Sequence, residues 1–148
     1  MNSFNRNEVE RIFSSAPFTA DMGLELVAIE AGECRSRLVL ASRHLQQDGF
    51  VHFGVQATLA DHTAGAAGAS MAKPGQIVLT SDFSLKLLRS ARGTRLECIA
   101  TVLKAGSSLT VVESEVFCGI DEDMRLVSKA TVTLAVVSPR DAADTRPV

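Results

Sequence analysis

One stretch of this chain, VHFGVQATLADHTAGAAGA from Val51 to Ala69, has the length and composition of a long helix, and nearly everything after it alternates with a period of two. KPG at 73–75 ends that helix. QIVLTSDFSLKLL then sets Ile77, Leu79, Phe83 and Leu85 on one face, with Thr80, Asp82, Ser84 and Lys86 on the other. TRLECIATVLK, SLTVVESEVFCG and MRLVSKATVTLAVV keep the same period, with breaks at Ala91–Gly93, Ala105-Gly106 and Asp121–Asp123. Upstream, MGLELVAIEAGECRSRLVLA reads as two strands joined at Ala31-Gly32. The sum is about six strands and one long helix. Strands do not alternate with helices, which excludes a doubly wound parallel sheet. An antiparallel sheet with one apolar face needs a cover, and this helix is the one candidate of sufficient size. The expected class is α+β: a curved antiparallel sheet wrapped around a central helix. A short amphipathic helix within NSFNRNEVERIF, with Val9, Ile12 and Phe13 on one side, precedes it and is interrupted at Pro17.

A length of 148 residues fits a single domain, with its core at about 22–137 and a frayed tail at 138–148. The net charge of −2 and the absence of Trp and Tyr argue against nucleic acid and anionic membrane surfaces as partners. No window offers a membrane span or a signal-peptide core. The three cysteines, Cys34, Cys98 and Cys118, are odd in number and widely spaced, as expected of core thiols in a reducing cytoplasm.

The helix carries two stripes. Val55, Leu59 and Ala66 form an apolar one that should press on the sheet. Gly54, Ala57, Asp61, Ala64, Gly65 and Gly68 form a second, of small residues with Asp61 as the exception. Small residues permit close approach of another backbone. Asp61 has two structural readings, a solvated face or a buried carboxylate satisfied by Thr58 or Thr63, and one chemical reading, a base. His52 stands where the polar loop becomes the helix, either as a simple cap or as part of a site. The backbone N–H groups of Phe53, Gly54 and Val55 lie at the positive end of the helix dipole, where an oxyanion binds. His62 and His44 have weaker claims, and the three histidines lack metal-ligand spacing. Nine residues separate His52 from Asp61, roughly 13 Å along a helix axis. They cannot reach one atom within a subunit. Two such helices laid antiparallel across a two-fold axis would bring His52 of one subunit to Asp61 of the other.

The block QQDGFVHFGVQATLAD, followed by VLTSDFSLKLLRSARG, ATVLKAGSSLTVVESEVF and LVSKATVTL, resembles the hot-dog-fold acyl-CoA thioesterases of the phenylacetate-pathway (PaaI-like) type, from about Gly23 to Val137. The resemblance implies a helix wrapped by an antiparallel sheet, a homodimer at minimum and often a homotetramer. It implies hydrolysis of an acyl-CoA to free acid and coenzyme A with no metal or redox cofactor. Asp61 matches the family's general base or nucleophile, and His52 its motif histidine. Phe53 takes the place of the first motif glycine, whose N–H polarises the thioester carbonyl, with Gly54 beside it. Gln46 stands where many members have Asn, and Thr80 where a hydroxyl residue helps hold water near the acid. Arg89, Arg92 or Lys104 would meet coenzyme A phosphates. Two alternatives share the fold: a non-catalytic acyl-CoA binding protein, favoured by the bulk of Phe53, and a hydratase or dehydratase using Asp48 and His52.

Overall fold

The computed structural model describes residues 4–138; the expected tail at 138–148 falls almost wholly outside them. Two short helices come first, α1 (Arg6–Ser15) and α2 (Pro17–Met22), where the sequence suggested one. Pro17 explains both. It cannot continue α1, yet its fixed φ suits the first position of a new helix, which begins behind extended Ala16. Val9 and Phe13 are buried, whereas Ile12 faces outward.

The strands are β1 (Glu25–Glu30), β2 (Glu33–Val39), β3 (Ile77–Leu87), β4 (Arg95–Ala105), β5 (Leu109–Ile120) and β6 (Asp123–Val137). They form one antiparallel sheet in the order β1-β2-β4-β5-β6-β3. Helix α3 (Phe53–Ala69) packs against all six strands. Val55, Leu59 and Ala66 are buried against the sheet, as the apolar stripe predicts. Inward residues of β2, β4 and β5, among them Cys34, Leu38, Leu96, Ala100, Val112 and Val116, complete the core.

The small-residue stripe divides. Ala64 and Gly68 are buried within the protomer, and a Cβ on Gly68 would stand 2.2 Å from Leu134 Cδ1, so glycine there serves the sheet's close approach. Gly54, Ala57, Asp61 and Gly65 are only half-buried, and a Cβ on Gly65 would meet nothing within 4 Å. The face open to a second backbone is therefore narrower than the sequence suggested.

β3 departs from simple alternation. Thr80 pairs with Leu134, but Asp82 pairs with Thr133, so Ser81 is an extra residue, a β-bulge. Before the bulge the even positions face the helix; after it the odd ones do. Val78, Phe83 and Leu85 pack on the core, while Ile77 (40% exposed) and Leu79 (44%) lie on the outer surface. The expected shared face of Ile77, Leu79, Phe83 and Leu85 is thus corrected. Thr80 turns inward.

Candidate active site

Asp61 sits midway along α3 with Ala57 and Thr58 one turn before it. Thr80 Oγ1 donates to Asp61 Oδ1 at 2.7 Å. Neither structural partner suggested by sequence serves: Thr58 Oγ1 donates to Gly54 O at 2.7 Å, and Thr63 Oγ1 to Leu59 O at 2.6 Å. Ala57, Thr58, Asp61, Thr80 and Phe83 line an open concavity of about 280 Å³. A carboxylate held by one hydroxyl in an apolar-sided hollow keeps lone pairs for water or for an electrophile.

The start of α3 builds a second concavity of about 560 Å³, lined by Gln46, Gln47, Phe50, Val51, His52, Phe53, Gln56 and the segment Leu87–Ala91. Gly49, at φ +85, allows the loop to turn back, so that Gln46 N–H reaches Phe50 O at 2.8 Å. Gln46 Oε1 accepts the N–H of Asp48 and, at 3.4 Å, that of Phe50. His52 is the N-cap: its Nδ1 accepts the Gly54 N–H at 2.8 Å, and its carbonyl accepts the Val55 N–H at 3.0 Å. The neutral ring therefore carries its proton on Nε2. Of the three N–H groups expected to be available, Gly54 and Val55 are committed inside the protomer. Phe53 N–H has no acceptor among the described residues, and Phe53 itself is 52% exposed. It remains free to donate.

The two hollows share no residue, so each protomer holds the acid and the amide donor in separate places. Asp48 makes no hydrogen bond to His52; it is joined to Gln47 Nε2 at 3.2 Å instead.

The expected phosphate-binding cations are placed differently from one another. Arg89 lines the larger hollow. Arg92 is spent on the loop: its guanidinium lies 4.6 Å from the Phe50 ring centroid and donates to Asp48 O at 3.3 Å. Lys104 is at the far end of the sheet, near the turn at Gly32, whose N–H binds Ser70 just after α3. It is not brought to either hollow of its own protomer. His44 and His62 are structural. His44 Nε2 donates to Met22 O at 2.8 Å while Nδ1 accepts from Ala41 at 2.9 Å, and His62 Nε2 donates to Phe13 O at 2.9 Å.

Sequence reading missed Gln56. It is 3% exposed, lines the larger hollow, and its Oε1 has no hydrogen-bond partner. Such an orphan costs roughly 1–3 kcal/mol. The available signal was a polar residue set among Val55, Leu59 and Ala60 on the buried side of the helix.

The profile of the thioesterase superfamily matches residues 48–124, which span the helix, its loop and the following strands. The chain belongs to the thioesterase superfamily and has the hot-dog fold; it is an enzyme of thioester hydrolysis. It is 28% identical over 119 residues to a 1,4-dihydroxy-2-naphthoyl-CoA hydrolase of Listeria monocytogenes, covering 80% of this chain and 94% of that one. Among solved structures, a thioesterase family protein of Silicibacter pomeroyi superposes with a TM-score of 0.86 at 28% identity, covering 89% and 97% of the two chains. The PaaI protein of the E. coli phenylacetic acid degradation operon shares the fold, with a TM-score of 0.79 at 16% identity over 89% and 92%.

Proposed function

We propose that the chain hydrolyses an acyl-CoA thioester at a site shared by two protomers, each supplying one hollow. The observation that carries this reading is the division of the machinery: Phe53 N–H, His52 and Gln46 lie in one concavity, and Asp61 with Thr80 in another. An antiparallel pairing of α3 helices across a two-fold axis joins them. The half-exposed Gly54, Ala57 and Gly65 allow that approach, and β3 offers an unpaired sheet edge beside it.

The thioester carbonyl accepts from Phe53 N–H at the helix start. Asp61 of the partner protomer either takes a proton from water, whose oxygen then attacks the carbonyl carbon, or attacks directly. Negative charge develops on the carbonyl oxygen, against the amide donor and the helix dipole. With water as nucleophile, collapse releases coenzyme A thiolate and leaves the acid; with Asp61 as nucleophile, it releases the thiolate and leaves an acyl–Asp61 anhydride, which water then cleaves to the acid and the Asp61 carboxylate. Thr80 fixes the Asp61 carboxylate, while Gln46 and the Nε2–H of His52 orient the thioester. A tetramer of two such dimers would cover the apolar outer face where Leu79, Ala135 and Leu109 stand side by side on adjacent strands.

The test is subunit complementation. Asp61→Asn and Phe53→Pro homodimers should each be inactive on a panel of acyl-CoAs. Mixed after co-expression, they form heterodimers with one intact composite site, and about a quarter of parental activity should return if pairing is random. No recovery in verified heterodimers would refute the shared site.

A further inference from the structure

Phe53 presents two groups at the start of α3, an N–H with no acceptor among the described residues and a phenyl ring in a residue that is 52% exposed. Both point the same way. The first N–H groups of a helix project beyond its N-terminal end. Side chains lean towards that same end, because every Cα–Cβ bond of a helix tilts there. On the first residue of a helix the ring therefore stands beside the space that its own N–H serves, and Phe53 does line the hollow at the start of α3. His52 bounds that space on another side. Its Nδ1 accepts the Gly54 N–H at 2.8 Å, and a Cβ on Gly54 would stand 3.1 Å from that nitrogen, so the imidazole is fixed against the first turn.

A thioester carbonyl bound by the Phe53 N–H has two substituents, the sulfur and the α-carbon of the acyl group. The polar lining of the hollow, Gln46, His52 and Arg89 among it, suits the coenzyme arm, and the phenyl ring suits hydrocarbon. Attack needs the incoming oxygen at about 3–3.5 Å from the carbonyl carbon, so the helix of the partner subunit closes over the same place. The α-carbon then has the ring against it and little room for more.

We propose that the ring of Phe53 is a specificity-determining group, which packs against the acyl α-carbon and excludes a second carbon substituent there. This rests on the acyl-CoA hydrolase reading above and names the substrate class: thioesters whose acyl group is unbranched at the carbon next to the carbonyl. One carbon more or less in an apolar contact changes kcat/KM roughly 10–200-fold.

The experiment compares isomers of equal carbon number, butanoyl-CoA with 2-methylpropanoyl-CoA, and pentanoyl-CoA with 2-methylbutanoyl-CoA and 3-methylbutanoyl-CoA. Branching slows thioester hydrolysis in its own right. The quantity read is therefore the straight-to-branched ratio of kcat/KM in the parent, divided by that ratio in Phe53→Ala, which keeps the N–H. This quotient should be about tenfold or more for the 2-methyl isomers and close to one for the 3-methyl isomer. Phe53→Leu is read in the same way should Phe53→Ala melt too low to assay. A quotient near one for the 2-methyl isomers, or an equal rise for the 3-methyl isomer, would overturn the proposal. Were no acyl-CoA hydrolysed, the hydrolase reading would fail separately. Calorimetric binding of the matching 2-oxoalkyl thioethers of coenzyme A, which keep a carbonyl and cannot be cleaved, would then decide. A preference for the unbranched member that shrinks about tenfold in Phe53→Ala supports the proposal. Equal affinity within pairs, or a preference unchanged in Phe53→Ala, defeats it.

Discussion

Thr80 on β3 donates its hydroxyl hydrogen to Asp61 on α3, 2.7 Å away, and it faces the helix because Ser81 is inserted as a bulge next to it. Without the extra residue, inward Phe83 and Leu85 would leave Thr80 on the outer surface. The bulge thus gives the same strand a core-packing half and a half that holds the acid.

Removing this hydroxyl should lower kcat with KM nearly unchanged. Thr80→Val is expected to cost about tenfold, the order of one hydrogen bond to a charged group. Thr80→Ser should recover most of it. Asp61→Asn should cost ~10³-fold or more, since the group that takes the proton or forms the bond is gone. Steady-state kinetics on an acyl-CoA panel checks all three. An Asp61→Asn variant as fast as the parent would end the mechanism.

The amide donor can be deleted without breaking the helix. Phe53 is the first residue of α3, where proline is tolerated, and His52 before it is extended at φ −60, ψ 139. Phe53→Pro should therefore melt within a few degrees of Phe53→Ala, because both lose the ring. Only the proline loses the N–H, and its kcat should fall a further ~10²-fold. Equal rates in the two variants would mean the carbonyl is polarised elsewhere.

Arg92 and Arg89 should separate when the substrate is shortened. Arg92 braces the loop through Phe50 and Asp48, so Arg92→Ala should lose several-fold in activity on acyl-CoA and on the acyl-pantetheine thioester alike. Arg89 lines the hollow without a partner of this kind, and Arg89→Ala should lose only on the full coenzyme. The ratio of kcat/KM on the two substrates reads this directly.

Alkali should weaken the fold. Burial pushes Cys34 and Cys98 from an ordinary value of 9.0 to about 12. Their folded-state values are raised, so the folded state holds these protons more tightly. The stability they confer is complete below pH 9 and is lost as pH climbs from there towards 12. Between pH 8 and pH 10 the pair should account for a loss of about 1–3 kcal/mol. Denaturant unfolding at the two pH values measures it, and a Cys34→Ala/Cys98→Ala double variant should show a smaller difference.

The sequence by itself determined the long helix, the six alternating strands and where along them the candidate site residues stand. Helical and strand periods are local, and a carboxylate among small residues stands out in one dimension. Asp61, His52 and Phe53 were legible for that reason. What tertiary structure decided was less local. The facing of Thr80 depends on how β3 pairs with β6, some fifty residues away, so alternation alone placed Ile77 and Leu79 on the wrong side. The commitment of Gly54 N–H depends on the rotamer of His52, and that of Arg92 on a ring the fold sets beneath it. Gln56 read as one polar residue on a helix until the packing around it buried its oxygen without a donor. Periodicity assigns residues to faces, but cross-strand register and close packing decide which polar atoms find partners.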